Sequence, residues 1–178
     1  MKVYRYLIPF IALLILAVPA LADVTTMLTL DGVPADVVCG QVWQENQVDL
    51  SFVPTTGEDC AEGNCYFGTD VDGVWLYPCR LLVDFGQSYN VISVEIDWAD
   101  YCGVGCTNAF LYNGGATVAS ASNTLVSTPE TVNMVPVGGI CDSIAVSSCE
   151  GKILEIRIVA DTVPDGKTTW GQVKSLFR

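Results

Sequence analysis

Residues 80–98 read RLLVDFGQSYNVISVEIDW and contain two runs in which apolar side chains recur at every second position. These positions are Leu81, Val83 and Phe85 in the first run, and Ile92, Val94, Ile96 and Trp98 in the second. A period of two places the apolar side chains of a β-strand on one face. The segment from Gly86 to Asn90, between the runs, contains the Gly, Ser and Asn that are typical of a hairpin turn. The pattern therefore predicts a β-hairpin whose apolar face is covered by a second sheet.

Short strand patterns occupy most of the remaining chain and alternate with turns rich in Gly, Pro, Asn and Asp. The predicted strands are 24–30, 37–43, 48–53, 66–68, 74–77, 109–112, 116–120, 131–137, 153–160 and 168–177. The sequence Asn113-Gly114-Gly115 predicts a second hairpin turn, whereas Gly138 to Gly151 is predicted to be irregular. In the strand 153–160, one face is expected to carry Leu154, Ile156 and Ile158. Because no segment shows a sustained helical period, the sequence predicts a single all-β sandwich domain.

The first 22 residues have the composition of a secretory signal peptide. Two basic residues precede an apolar run from Leu7 to Leu21, and Ala20-Leu21-Ala22 presents small residues to a signal peptidase. Cleavage is expected before Asp23, which leaves a secreted domain at 23–178. The alternative is an uncleaved membrane anchor, but two prolines divide the run into pieces shorter than the roughly 20 residues that a spanning helix needs. No second long apolar segment follows, so no membrane span is expected after cleavage.

The chain is strongly acidic, with 8 Lys and Arg, 20 Asp and Glu, and a formal net charge of −12. Nucleic acid is not an expected partner, because a phosphate backbone binds to a basic protein surface. Anionic membranes are disfavoured for the same reason. The acidity is compatible with cation binding, or simply with solubility outside the cell.

The sequence gives little support to an enzymatic function. It contains no histidine, which excludes Ser-His-Asp and Cys-His arrangements and removes the commonest general base. The motifs of serine hydrolases, phosphate loops and dinucleotide-binding folds are also missing. A pair of carboxylates could hydrolyse a glycosidic bond, and Asp70 with Asp72 or Glu95 with Asp97 are candidates. Acids at this spacing commonly share the solvated face of a strand, so we predict a protein that is not an enzyme.

All eight cysteines follow the predicted cleavage site. An even number of cysteines behind a signal peptide predicts disulfide bonds, although eight cysteines allow many pairings. Three pairs are close in sequence and leave a fourth: Cys60 with Cys65, Cys102 with Cys106, Cys141 with Cys149, and then Cys39 with Cys79. The alternative is a zinc site built from the two most closely spaced pairs. An oxidising compartment and the lack of histidine favour disulfides over this site.

Two parts of the chain resemble the galactose-binding-like (discoidin-like) domains. The first is Leu81 to Gly86 followed by Val91 to Ile96, which resembles a pair of neighbouring strands in that family. The second is Leu154 to Ala160, an acidic turn, and Trp170 to Phe177, which resembles the end of the domain. The resemblance covers residues 77–178 and implies an antiparallel jelly-roll sandwich of about eight strands. Members of the family often bind glycans through loops at one end, and many hold a structural calcium ion.

The calcium ligands that the resemblance implies lie where the two ends of the domain meet. They are Asp31 and Asp36 early in the chain and Asp161 and Asp165 late in it. Calcium takes six to eight oxygen ligands, which carboxylates and loop carbonyls supply. The alternative is that these acids only cap their own turns. Structural calcium is the one cofactor that we expect.

Carbohydrate recognition usually needs an aromatic surface with polar groups beside it. The aromatic residues on predicted loops or strand ends are Trp43, Tyr66, Trp75, Tyr101 and Tyr112, whereas Trp98 and Trp170 are expected in the core. Tyr101 is the best placed, in a glycine-rich loop that also contains Cys102 and Cys106. The predicted binding residues are Tyr101, Asp100, Asn108, Trp43 and Tyr112. We therefore predict a secreted, non-catalytic module for an extracellular glycan or cell-surface ligand; the alternative is a structural, matrix or cell-surface assembly protein.

Overall fold

A computed structural model describes residues 23–34, 36–55, 65–70 and 72–161. These residues form eleven β-strands: β1 (Val24–Leu28), β2 (Val42–Glu45), β3 (Val48–Val53), β4 (Tyr66–Asp70), β5 (Gly73–Tyr77), β6 (Cys79–Asp100), β7 (Asn108–Asn113), β8 (Ala116–Ser122), β9 (Glu130–Met134), β10 (Ile140–Ser148) and β11 (Gly151–Ala160). A short 3-10 turn, Val137–Gly139, precedes β10. Within these ranges, no helix is long and apolar enough to cross a membrane.

The strands pair antiparallel in two sheets. In sheet A, β11 lies between the second half of β6 on one side and β1 and β5 on the other, with β9 beyond β6 and β4 beyond β5. Sheet B has the order β2-β3-β6-β10-β7-β8, with the first half of β6 at its centre. Successive strands cross repeatedly between the two sheets, as in a jelly roll. The predicted all-β, antiparallel jelly-roll sandwich is confirmed, with eleven described strands instead of about eight.

The hairpin predicted over residues 80–98 is wrong, because this segment lies within the single strand β6. Residues 80–84 pair with β3 and β10, whereas residues 91–100 pair with β11 and residues 94–98 also with β9. Both edges of each half are therefore occupied by other strands, and the halves do not pair with each other. Gly86 has a φ of 71° at the passage between the sheets, a conformation that glycine adopts at little cost.

The core lies between the two sheets and contains the alternating apolar side chains of β6. The alternation is confirmed for five fully buried residues: Leu81, Val83, Val94, Ile96 and Trp98. At the start of the second half, however, Val91 is buried and Ile92 is 42% exposed. The reason is a shift of register between β11 and β6 at Val159 and Ala160, which changes the face that each neighbouring residue occupies.

The segment 138–151, predicted to be irregular, contains a central strand of sheet B. Residues Ile140–Ser148 form β10, which pairs with β6 on one edge and β7 on the other. Ile144 and Val146 point into the core and are fully buried. Strand formation here depends on these two neighbours, which are distant in sequence.

In β11 the buried apolar side chains are Ile153, Ile156 and Ile158, whereas the predicted set began at Leu154. A bulge between Ile153 and Glu155 inserts one extra residue into the ladder with β6, so Leu154 is only half-buried. The predicted strand 37–43 is also wrong for most of its length, because β2 begins at Val42. The predicted strand 168–177 lies outside the described residues.

The second predicted hairpin is confirmed. Strands β7 and β8 pair through a turn in which Gly114 and Gly115 have φ values of 58° and 79°. Positive φ at both central positions is what a tight hairpin turn of this kind requires.

Candidate functional site

Four aromatic side chains lie together on the outer face of sheet A. In β5, Val74 and Leu76 are fully buried in the core, so the alternation of the strand turns Trp75 and Tyr77 outward. Tyr66 of β4 is the cross-strand partner of Tyr77, and Tyr101 follows the end of β6. We call this group, Tyr66, Trp75, Tyr77 and Tyr101, the aromatic strip.

The rings of Tyr77 and Tyr101 both contact that of Trp75, and the strip leaves apolar surface in solvent. The ring centroids of Trp75 and Tyr77 are 6.0 Å apart with an interplanar angle of 11°, and those of Trp75 and Tyr101 are 5.1 Å apart at 34°. The exposed fractions of Tyr66, Tyr77 and Tyr101 are 65%, 38% and 41%. Exposed apolar groups that are contiguous, as opposed to scattered, commonly mark a binding surface.

Gly68 keeps one side of Trp75 uncovered. It is the cross-strand partner of Trp75 in the β4–β5 pair, the position from which a side chain would lie beside the indole. A Cβ at this position would be only 3.8 Å from the Cβ of Trp75. The absence of a side chain at Gly68 therefore leaves this part of the strip accessible.

A lysine and two carboxylates flank the strip. Lys152 of β11 pairs with Trp75 across the sheet, and its Nζ lies 5.6 Å from the centroid of the indole, within the range of a cation–π contact. The same Nζ binds Asp70 at 3.2 Å and also binds Asp72. The hydrogen bond with Asp72 raises the pKa of Lys152, which keeps the ammonium charged.

The carboxylates of this cluster remain accessible although their charges are partly balanced. The side chain of Lys152 is 8% exposed, whereas those of Asp70 and Asp72 are 48% and 68% exposed. Their oxygens can therefore accept hydrogen bonds from a ligand at the edge of the strip. The other carboxylate pair named from the sequence is also engaged, since Glu95 binds Arg157 and Asp97 accepts a hydrogen bond from Thr131.

Asp100 organises the loop that carries Tyr101. It is fully buried, and its Oδ1 accepts hydrogen bonds from the amides of Cys102 and Gly103 at 2.9 and 2.8 Å. Its Oδ2 accepts one from the hydroxyl of Thr107 at 2.6 Å. Asp100 was predicted to contact a ligand, but its burial gives it a structural role.

The backbone of Tyr101 is fixed by the neighbouring turn. Its amide donates a hydrogen bond to the carbonyl of Glu150 at 2.8 Å. This bond joins the loop after β6 to the turn between β10 and β11. Together with the contacts of Asp100, it fixes the direction in which the Tyr101 ring leaves the backbone.

The other three predicted binding residues lie elsewhere. Trp43 is 7% exposed and packs on Phe52 in the core, with ring centroids 4.9 Å apart. Tyr112 lies on β7 in sheet B and stacks with Phe110 at 6.1 Å. Asn108 is half-buried, and its side chain binds Ser122 and the carbonyl of Gly105.

Of the five predicted binding residues, only Tyr101 lies in the aromatic strip. Tyr66 and Trp75 were among the aromatic candidates, but they were not selected. Tyr77 was missed, although the alternation in Gly73–Tyr77, GVWLY, places it on the same face as Trp75.

The described members of the predicted calcium set, Asp31, Asp36 and Asp161, lie in different parts of the fold. Strand β1 pairs with β11 from Val24 opposite Ala160 to Leu28 opposite Ile156. Asp161 follows one end of this pair and Asp31 follows the other. Asp36 is exposed in the connection between β1 and β2, and Asp165 lies outside the described residues. Calcium binding and this ligand set both stay predictions.

The described cysteines include two groups of three. In the first group, Cys65 and Cys79 have their Sγ atoms 2.9 Å apart, and Cys39 contacts Cys65. In the second group, the Sγ atoms of Cys102, Cys106 and Cys149 all lie within 4.8 Å of one another. No pair of described cysteines is at the distance of a disulfide bond, and Cys60 lies outside the described residues.

The predicted bridge between Cys141 and Cys149 is wrong. Cys141 lies near the start of β10 and Cys149 follows its end, so about 26 Å of extended strand separates them. A disulfide requires Cα atoms closer than about 7 Å. Cys141 is instead a buried thiol whose Sγ contacts the carbonyl of Ser143 at 3.2 Å. Burial raises its pKa to about 11.

Comparison with known proteins finds similarity only among solved structures. No protein-family model matches the chain, and no curated protein matches it in sequence. A family 29 carbohydrate-binding module mutant complexed with mannohexaose is 12% identical, with 80% of this chain and 94% of that chain covered and a TM-score of 0.46. A family 32 module from C. perfringens NanJ, in complex with galactose, is 16% identical, with 64% and 94% covered and a TM-score of 0.40.

A further mutant of the family 29 module, complexed with cellulohexaose, is 11% identical, with 78% of this chain and 92% of that chain covered and a TM-score of 0.43. All three proteins are carbohydrate-binding modules.

Proposed function

We propose that the protein is a secreted, non-catalytic module that binds carbohydrate through the aromatic strip. The observation that carries this proposal is the arrangement of three exposed tyrosines around Trp75, with the carboxylates of Asp70 and Asp72 beside them. The C–H face of a pyranose ring packs on aromatic side chains, and its hydroxyl groups bind neighbouring polar groups. Both kinds of partner are present in this part of sheet A.

The strip is built on elements that hold its shape before a ligand binds. Two of its members lie on β5, a third on the paired strand β4, and Tyr101 on a loop fixed by Asp100. A ligand that meets a rigid surface loses less free energy to the ordering of protein side chains. Because the strip extends over two strands and a loop, it offers contacts to more than one sugar unit of a chain.

The charge of the protein favours neutral glycans as ligands. The chain has a net charge of −12, and two of its carboxylates lie at the edge of the strip. A glycan that contains uronic acid or sulfate would be repelled by these groups. We therefore expect neutral hexose polymers to bind best, and we expect added salt to have little effect on their affinity.

The extracellular location is supported by residues 1–22, whose pattern of basic, apolar and small residues is that of a signal peptide. Surface glycans and soluble polysaccharides are available in that compartment. The lack of histidine in the whole chain supports binding without catalysis.

The test is affinity electrophoresis and titration calorimetry of residues 23–178 against neutral glucans, mannans and galactans. Tyr66→Ala, Tyr77→Ala and Tyr101→Ala are each expected to weaken binding by roughly 3- to 10-fold, since an aromatic contact is worth about 0.5–1.5 kcal/mol. Tyr112→Ala is the matched control, because this tyrosine lies on the other sheet. The Tyr112→Ala protein should bind the glycan with the same affinity as the unmodified protein.

Equal affinity in all four variants would contradict the proposal. Protein that binds no glycan but forms polymers in sedimentation experiments would support the alternative role in assembly.

A further inference from the structure

We propose that Cys102, Cys106 and Cys149 form a binding site for one thiophilic divalent cation, of which Zn²⁺ is the representative. Their three Sγ atoms lie within 4.8 Å of one another. Zinc binds thiolates at about 2.3 Å, so three sulfur ligands around one ion are separated by about 4 Å. The group therefore needs only a small contraction to surround an ion.

A single metal ion can use all three thiols of this group. A disulfide uses two cysteines and leaves the third without a function, whereas a metal ion uses all three. Cys141, the nearest cysteine in sequence to Cys149, lies at the far end of β10 and cannot serve as a partner for the third thiol.

The backbone that carries the three thiols is held in place by buried hydrogen bonds. Cys102 and Cys106 lie in the loop after β6, and Cys149 lies in the turn after β10. Asp100 binds the first of these segments through two amides. The hydroxyls of Thr107 and Ser148 are 2.9 Å apart and join the two segments. A site whose ligands are positioned in advance binds its ion more tightly than one that has to be assembled.

The site is open on one side. Cys102 is exposed and the other two cysteines are half-buried. The Cβ position of Gly103 would be 3.5 Å from the Sγ of Cys106, so the glycine leaves space beside this ligand. Three protein ligands with an accessible fourth position leave room for a water molecule to complete a tetrahedral zinc site.

The first cysteine group is a poorer metal site. Its members Cys65 and Cys79 are buried, whereas Cys102 of the second group is exposed, so an ion in the first group would have less access to a water ligand. The zinc site considered from the sequence would place Cys65 and Cys102 in one cluster. This alternative is wrong, because Cys65 belongs to the first cysteine group and Cys102 to the second.

Binding of the ion has a defined proton balance. Three thiols lose three protons as three sulfur–metal bonds form, which gives the site a net charge of −1 around Zn²⁺. The affinity should therefore fall as the pH is lowered.

The main test is an anaerobic titration of the reduced full chain with Co²⁺, which gives a thiolate charge-transfer absorption, followed by displacement with Zn²⁺. Cys149→Ser and Cys106→Ser are expected to lose this absorption or to weaken binding at least tenfold. Cys141→Ser is the matched control and should titrate like the unmodified protein. Equal titrations for Cys149→Ser and the unmodified protein would overturn the proposal.

A second measurement avoids dependence on the folding of the variants. Unmodified protein is treated with iodoacetamide with and without Zn²⁺, and the modified cysteines are identified by mass spectrometry. Zinc should protect Cys102, Cys106 and Cys149, whereas the exposed Cys39 should react at the same rate in both cases. Equal modification of the three cysteines, or a disulfide between two of them in secreted protein, would overturn the proposal.

Discussion

The hydroxyl of Thr107 donates a hydrogen bond to Oδ2 of Asp100 over 2.6 Å, and both side chains are fully buried. Through this bond and the amides of Cys102 and Gly103, one carboxylate closes the loop that follows β6. That loop contributes Tyr101 to the aromatic strip and two of the three clustered thiols. The stability of both candidate sites therefore depends on Asp100.

Asp100→Asn is expected to lower the free energy of unfolding by about 2–4 kcal/mol, because hydrogen bonds to a buried charged group contribute roughly 1.5–3 kcal/mol each. The one side-chain oxygen of Asn can still accept from the amides of Cys102 and Gly103, but its NH2 group cannot accept the hydrogen bond that Thr107 donates to Oδ2 of Asp100. Urea unfolding measures the effect. Asp31→Asn, in an exposed turn, should change the free energy by less than about 0.5 kcal/mol; equal effects in the two variants would contradict this role.

Gly151→Ala is expected to destabilise the fold by about 1–3 kcal/mol, as overpacking does. A Cβ at this position would be 2.7 Å from Oγ1 of Thr107 and still closer to Oγ of Ser148, so the hydrogen bonds between the loop and the turn would be displaced. Gly32→Ala is the matched control, since a Cβ there meets nothing within 4 Å. Thermal unfolding of both variants provides the comparison, and an unchanged melting temperature for Gly151→Ala would show that the turn can relax.

Glu130 should stabilise the protein at neutral pH and lose this effect in acid. Burial raises its pKa, but hydrogen bonds from Thr124, from the amide of Leu125 and from the indole of Trp98 outweigh burial and lower it. The stabilisation is complete above the pKa of Glu130 in the unfolded chain, about 4.3. It is lost as the pH falls through the lower pKa that Glu130 has in the folded protein.

Glu130→Gln should therefore be less stable than the unmodified protein at pH 7, by about 1–2 kcal/mol, and equally stable near pH 2. Unfolding curves at both pH values test this, with Glu150→Gln as a control outside the loop. A difference that persists unchanged at pH 2 would mean that packing, and not the charge of Glu130, accounts for it.

Lys152→Met should lower the free energy of unfolding by roughly 1 kcal/mol, since exposed partners limit what an ion pair contributes. It leaves the carboxylates of Asp70 and Asp72 close together without a cation. Adding Asp70→Asn and Asp72→Asn to this variant should recover part of the loss. A double-mutant cycle measured by urea unfolding gives the coupling, and full additivity would show that the three charges do not interact.

The alternation of apolar residues was sufficient to predict the all-β class and the buried face of most of β6. It could not predict that residues 80–98 form one strand, because Gly, Ser and Asn are equally compatible with a turn and with a bend in a strand. The outcome is decided by β3, β9, β10 and β11, which occupy both edges of β6. Strand pairing of this kind depends on residues that are far apart in sequence.

The candidate site could be predicted only in part for the same reason. Tyr101 was identified from its loop, but the aromatic strip depends on the pairing of Tyr66 with Tyr77. Trp43 was misplaced because nothing in the sequence shows that β2 turns this residue toward Phe52. The convergence of Cys149 with Cys102 and Cys106 likewise follows from the contact between two segments that lie more than 40 positions apart in the chain.

The passage of β6 through both sheets has a consequence for how the protein opens. Strand β6 is shared by the two sheets. Neither sheet can therefore separate from the other without breaking the backbone hydrogen bonds on one half of β6. Partial opening is therefore limited to outer strands such as β4 and β8, and the central amides exchange with solvent only when the whole molecule unfolds. Cleavage by a protease within the paired residues 79–84 and 91–100 should therefore require that rare event.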